Sequence, residues 1–251
     1  MTGAPIEPLL NVKDLVVRYD AAQALHGISL HVAPREIVAV VGANGAGKTT
    51  LLRAISGLVR AAEGQIEFRN ADVTKLPVHR IVELGISQIP EGRGILAALS
   101  VKDNLRMGGY VHGEPDPALL AKLRSWFPIL FDRYLQAAGM LSGGEQQMLA
   151  IARVVLAKPQ LILIDELSLG LSPKVTSELV PRLRDLRSDG ASVLLVDQNI
   201  QQALRVADRM YVLANGRIAY TGTPDELRAA PDLMARYLGI EVVTPGSKEA
   251  E

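Results

Sequence analysis

The 251-residue sequence contains no cysteine, which excludes disulfides and thiolate metal sites and fits a reducing compartment. It has no net charge, because 27 Lys and Arg balance 27 Asp and Glu. Nothing in that balance gives a general attraction to nucleic acid or anionic lipid. Long apolar runs are missing too. The longest lies near Ile37 to Val41, far short of the roughly 20 residues that span a bilayer. Any membrane role is therefore expected to come through a partner. The first stretch, MTGAPIEPLLNVKD, lacks both a basic and an apolar segment, so no signal peptide is expected. No internal repeat, low-complexity tract or heptad tract stands out. What remains is 48% hydrophobic and 22% charged, the balance of one large globular domain, or of a core with a subdomain.

Short strand-like segments alternate with helical ones. Leu9 to Tyr19 and Gly27 to Val32 alternate in polarity and carry β-branched residues. Ile37 to Val41, Leu161 to Ile164 and Val193 to Val196 are all apolar, the pattern of strands buried on both faces. Leu51, Ile55 and Leu58 share one helical face, and so do Val175, Leu179, Leu183 and Leu186, although Pro181 should kink or strain that second helix. Alternating strands and helices predict an α/β fold with a mostly parallel sheet. Residues from about 92 to 159 hold few strand-like runs and are expected to form a helical subdomain. Near the end, Asn215-Gly216 predicts a hairpin, and Thr223-Pro224-Asp225-Glu226 a capping box. The residues from Val243 on are polar and expected to be loose.

The chemistry begins at Gly42-Ala43-Asn44-Gly45-Ala46-Gly47-Lys48-Thr49-Thr50, which fits the P-loop pattern between an apolar strand and a helix. Glycines let backbone N–H groups curl around phosphates, and the helix N-terminus adds a favourable dipole. Gly42, Asn44, Gly45, Ala46, Gly47, Lys48, Thr49 and Thr50 are thus candidate ATP contacts. Lys48 would reach the β- and γ-phosphates, and the Thr49 hydroxyl would ligate Mg²⁺. Leu161 to Ile164 ends in Asp165-Glu166, at the strand end where open α/β sheets meet their ligands. Asp165 would hold Mg²⁺ through water, and Glu166 would polarise the attacking water as general base.

Leu141-Ser142-Gly143-Gly144-Glu145-Gln146-Gln147 opens a helix with Met148, Ala152, Val155 and Leu156 on one apolar face. Ser142 makes an N-cap, and the two glycines expose N–H groups at the positive end of the dipole. This string resembles the ABC signature LSGGQ, with Glu145 in place of the usual Gln. With the P-loop upstream and the acidic strand just downstream, the chain from about Leu9 to Gly239 resembles an ABC transporter nucleotide-binding domain. PEGRGI, LSGGEQQMLAIAR, DELSLGLSP and LLVDQN are similar to runs in the smaller ATPase subunit of branched-chain, or hydrophobic, amino-acid importers.

The resemblance implies a P-loop NTPase (RecA-like) core with an antiparallel β subdomain and a helical subdomain, over residues 9–239, and a flexible tail over 240–251. It implies that two such domains pair head to tail around two ATP molecules. Ser142, Gly143 and Gly144 would then bind the γ-phosphate of the partner's ATP, while Tyr19 would stack on adenine. The implied partners are a second ABC ATPase subunit or a second copy of the chain, two membrane permease subunits and, indirectly, a periplasmic or surface substrate-binding protein. The implied place is the cytoplasmic face of the membrane.

Several positions depart from the general ABC pattern. Glu91 stands where most members have glutamine, Gln198 where most have the switch histidine, and Ser172 where most have aspartate. The first two also occur in the resembled subfamily; Leu167, usually proline there, does not. Gln198 cannot take up a proton near neutral pH, yet its amide can contact a γ-phosphate oxygen. Glu91 would put a carboxylate near Mg²⁺ and the water. Import of urea, amides or other small solutes, an exporter subunit, a catalytically dead regulatory domain, and a soluble ABC ATPase acting on ribosomes or DNA remain as alternative readings of the same motifs.

Overall fold

The computed structural model describes residues 7–113 and 115–230. Residues 231–239, which the expected domain includes, and the expected tail at 240–251 lie outside them. A first sheet of four strands is antiparallel, in the order β2 (Ala22–Val32), β1 (Leu10–Tyr19), β4 (Glu63–Phe68), β5 (Ala71–Asp72). A second, of six strands, runs β10 (Arg217–Gly222), β9 (Arg209–Ala214), β3 (Ile37–Val41), β8 (Ser192–Asp197), β7 (Leu161–Asp165), β6 (Ile86–Ile89). All its pairings are parallel except the hairpin β9–β10.

The central strands β3, β7 and β8 are buried at every position, as their unbroken apolar runs require. Their side chains alternate between two cores. Val38, Val40, Leu161, Leu163, Leu194 and Val196 pack with helix α1 (Lys48–Ile55) and the antiparallel sheet. Ile162, Ile164, Val193 and Leu195 face the other way, against α6 (Gly143–Leu156) and α7 (Pro173–Ser188). Ala39 and Val41 pack with α8 (Ile200–Val206) and with α9 (Pro224–Arg228) through Leu227. Between β6 and β7 the chain is helical: α3 (Val101–Gly108), α4 (Pro117–Trp126), α5 (Pro128–Asp132) and α6, with short 3₁₀ turns.

Two local expectations need correction, and a third concerns a proline inside a helix. Helix α1 stops at Ile55 and leaves Leu58 outside it, 58% exposed. The cause is a Schellman ending: Gly57 turns left-handed (φ 75°), its N–H reaches the Ala54 carbonyl, and the Leu58 N–H reaches that of Arg53. Pro181, expected to kink or strain α7, lies inside one continuous helix, Pro173–Ser188. The proline lies on the exposed face, where water can satisfy the carbonyl it leaves free. Strand β2 begins at Ala22, earlier than its alternation suggested, because β1 offers a full pairing edge through a register irregular at Val12/Leu15 and Val17/Arg18.

The hairpin at Asn215-Gly216 has both residues left-handed (φ 48° and 69°), the two-residue turn that suits twisted strands. Its tip does more than turn. The Gly216 N–H donates to the Ala46 carbonyl at 3.0 Å, and its carbonyl accepts from the His26 N–H at 2.8 Å. The hairpin thus buttresses the glycine-rich loop from below.

Candidate functional site

The glycine-rich loop connects β3 to α1, and its backbone course depends on glycines that nothing else can replace. A Cβ on Gly42 would stand 2.2 Å from the Leu213 carbonyl oxygen. Gly47 adopts φ 108°, and a Cβ there would stand 2.7 Å from Leu25 Cδ2. Gly47 is also the N-cap of α1 and supplies no side-chain cap, so the first-turn N–H groups stay available to an anion. Lys48 is only 5% exposed. Its Nζ donates to the carbonyls of Gly42 at 2.9 Å and Ala43 at 3.1 Å, which pins the ammonium across the mouth of the loop. Asn44 and Gly45 are exposed, Ala46 is buried, and Thr49 and Thr50 are half-buried at the helix start.

The acidic strand end comes to the same place. Thr49 Oγ1 donates to Asp165 Oδ1 at 3.3 Å, and Glu166 Oε1 lies 4.0 Å from Lys48 Nζ. Asp165 is buried, and burial holds its carboxyl above the usual carboxylate range. The Thr49 bond and Lys48 oppose that shift, whereas Glu91 and Glu166 add to it. Its Oδ2 has no hydrogen-bond partner. A buried, unpaired carboxylate oxygen beside a threonine hydroxyl is a fitting donor set for a hard divalent cation. Among the described residues no group of three or more His, Asp or Glu converges as a metal cage. This agrees with Mg²⁺ practice, in which one or two protein oxygens serve and phosphates and waters fill the rest.

Glu166 has left-handed backbone (φ 52°), with its N–H bonded to the Val196 carbonyl at 2.9 Å. Such a conformation costs a non-glycine residue about 1 kcal/mol, and strain of this kind clusters at functional sites. Glu91 is exposed after Pro90 at the end of β6, near enough to Asp165 to raise its pKa. Gln198 is exposed directly after β8. Tyr19 ends β1, 41% exposed, with its hydroxyl 3.5 Å from Thr50 Oγ1. The ring therefore borders the loop, where it can lie against a planar base.

One further acid belongs to this cluster. Asp197 closes β8, 3% exposed, with Oδ1 accepting the Asn199 N–H at 2.7 Å and Oδ2 unpaired. Burial, helped by Glu166, pushes its pKa up to about 6 against the pull of the backbone bonds and Lys48. The only sequence signal for it is the one that marks Asp165, an acid at the end of a wholly apolar run.

The signature residues stand elsewhere. Ser142 caps α6 in a full capping box: its Oγ accepts the Glu145 N–H, and Glu145 Oε2 accepts the Ser142 N–H at 2.8 Å. Glu145 also pairs with Arg133 at 3.0 Å. A Cβ on Gly144 would stand 2.9 Å from Val175 Cγ2, and one on Gly143 2.9 Å from Arg93 Nη2. Among the described residues, Ser142, Gly143 and Gly144 make no hydrogen bond to the loop at 42–50. Of the departures, Ser172 caps α7 by accepting the Val175 N–H, and Leu167 is buried in the core beside α6 and α7.

Comparison with known proteins agrees with this geometry. The family model described as ABC transporter matches residues 25–168. The chain is 43% identical to the high-affinity branched-chain amino acid transport ATP-binding protein BraG of Pseudomonas aeruginosa, over 92% of this chain and 100% of that protein. It is 37% identical to a probable branched-chain amino acid transport ATP-binding protein, LivF, of Archaeoglobus fulgidus, over 87% and 94%. A solved ATP-binding subunit of an ABC transporter superposes with a TM-score of 0.79 at 30% identity, over 92% and 96% of the two chains. The chain belongs to the ABC transporter family. It is an ATP-binding, ATP-hydrolysing transporter subunit. No helix among the described residues is long and apolar enough to cross a membrane.

Proposed function

We propose that this chain energises the import of branched-chain amino acids from the cytoplasmic face of the membrane. One ATP would be held between its glycine-rich loop and the signature of a second ATPase subunit, and a second ATP between that subunit's loop and this chain's signature. The observation that carries the catalytic half is the convergence of Lys48, Thr49, Asp165 and Glu166, with Lys48 4.0 Å from Glu166 and Thr49 3.3 Å from Asp165. The amino-acid class is supported by 43% identity to BraG across nearly the whole chain.

In this reading the loop N–H groups and Lys48 bind the β- and γ-phosphates, and Tyr19 stacks on adenine. Thr49 and Asp165, with Glu91 nearby, hold Mg²⁺, which when bound neutralises charge on the phosphates. Glu166 accepts a proton from the water that attacks the γ-phosphorus, the bond from that phosphorus to the β–γ bridging oxygen breaks so that ADP and inorganic phosphate leave, and the Gln198 amide contacts a γ-phosphate oxygen. Ser142, Gly143 and Gly144 serve the partner's nucleotide, which explains why they stand apart from the loop of their own chain. Two non-identical ATPase subunits, two permeases and an external substrate-binding protein complete the assembly.

The test is leucine uptake into vesicles carrying the chain with its co-purified permeases and binding protein. Uptake that needs ATP and disappears with Glu166→Gln supports the reading. Active ATP hydrolysis without leucine, isoleucine or valine uptake would overturn the assignment of cargo.

A further inference from the structure

The segment Pro90-Glu91-Gly92-Arg93-Gly94 turns back on itself directly after β6. The Arg93 N–H reaches the Pro90 carbonyl at 3.0 Å, and Arg93 itself is left-handed at φ 72°. That backbone costs about 1 kcal/mol for a side chain of this kind. It swings the guanidinium away from the strand end and onto α6. There Nη1 donates to Gln146 Oε1 at 3.0 Å, and Nη2 lies against Gly143 so closely that a Cβ at that glycine would stand 2.9 Å away. Nη2 also sits 4.0 Å from where a Cβ on Gly170 would be, in the loop that follows Glu166. A second arginine fastens the same segment to the same helix: Arg153, on α6, donates to the Gly94 carbonyl at 2.6 Å.

Arg93 thus touches the signature helix at its first turn and lies near the loop after the general base, and it sits two residues from the acid that faces Asp165. Among the described residues Arg93 has no carboxylate partner within ion-pair distance, so its contacts are those of a spacer rather than of a charge pair. We infer that Arg93 is a positioning residue. It sets the signature turn that a chain lends to its partner in register with Glu91 and Glu166 of its own site. This inference rests on the paired reading given under Proposed function.

The test uses the full chain in a Glu166→Gln background, alone and together with the second ATPase of its transporter. Two quantities are measured: affinity for ADP, which reads the chain's own loop, and the ATP concentration that drives pairing. Arg93→Ala is expected to leave ADP affinity within twofold and to raise the ATP needed for pairing about tenfold. Arg93→Lys, which keeps a donor for Gln146, should recover most of that loss. Gln146→Ala should give part of the loss, and the double variant should be no worse than Arg93→Ala, because the two side chains act through one contact. Equal losses of ADP affinity and pairing, or additive effects of the two substitutions, would overturn the assignment. If the chain with Arg93 intact fails to pair under ATP, the paired reading falls, and this inference with it.

Discussion

At the ends of β3, β7 and β8, the carboxylates of Asp165, Glu166 and Asp197 gather around Lys48 with Glu91 beside them, and buried oxygens of Asp165 and Asp197 have no partner. At the first turn of α6, by contrast, Ser142, Glu145, Arg133, Gln146 and Arg93 bond to one another. The first region leaves buried carboxylate oxygens unpaired, which costs stability, and in the proposed function bound phosphate and cation would offset that cost. The second is bonded within itself, and in the proposed function the first-turn N–H groups of Gly143 and Gly144 serve another subunit. A substitution in the first should cost activity while sparing or raising stability. One in the second should cost some stability and injure the partner's site.

The largest contrast should come from Lys48→Ala. Turnover of ATP is expected to fall about 10²- to 10³-fold, the usual result of removing one group that stabilises developing charge, while the melting temperature changes little. A comparable loss of stability would mean that the lysine serves the loop more than the nucleotide. Gly42→Ala should behave differently. Its new Cβ would stand 2.2 Å from a backbone oxygen, and overpacking of this kind costs about 3 kcal/mol. Urea unfolding measures it, and a shift below about 1 kcal/mol would show that the loop can give way.

Asp197→Asn sharpens the comparison in the opposite direction. The folded pKa of Asp197, about 6, lies above its ordinary value of 3.8, so the folded chain holds this proton more tightly than the unfolded one. Stability from this group is therefore full below about pH 4 and is lost as pH rises toward about 6. At pH 7.5 the ionised carboxyl costs up to about 3 kcal/mol. The asparagine variant should be more stable at pH 7.5 and little changed at about pH 3, below both pKa values. Denaturant curves at the two pH values decide it, and equal shifts at both would remove burial of the charge as the cause. The smallest effect belongs to the signature. Ser142→Ala removes a helix cap and should cost about 1 kcal/mol of stability, with ADP affinity of the same chain unchanged. A fall in that affinity would mean that the signature serves its own loop.

Much of this contrast was legible in the sequence. The wholly buried strands announce themselves as apolar runs, and the glycine-rich loop and acidic strand end carry motifs with direct mechanical meaning. What stayed hidden has physical reasons. Strand β6 (Ile-Ser-Gln-Ile) is short and mixed, and it is a strand because it pairs with β7. Strand β4 (Glu-Gly-Gln-Ile-Glu-Phe) is held by its pairing with β1. Leu58 keeps helical spacing, yet Gly57 ends the helix before it. Arg93 and the tip at Gly216 act through contacts between segments far apart in the chain, which no local pattern reports. Asp197 needed the sheet order before its burial next to Lys48 and Glu166 could be seen.

The account turns on Glu166, and single-turnover hydrolysis by Glu166→Gln tests it most directly. The predicted result is a rate at least about 10²-fold below that of the unaltered chain, with ATP still bound and ATP-bound pairs accumulating. A rate within a few-fold of the unaltered chain, or loss of ATP binding along with turnover, would contradict it.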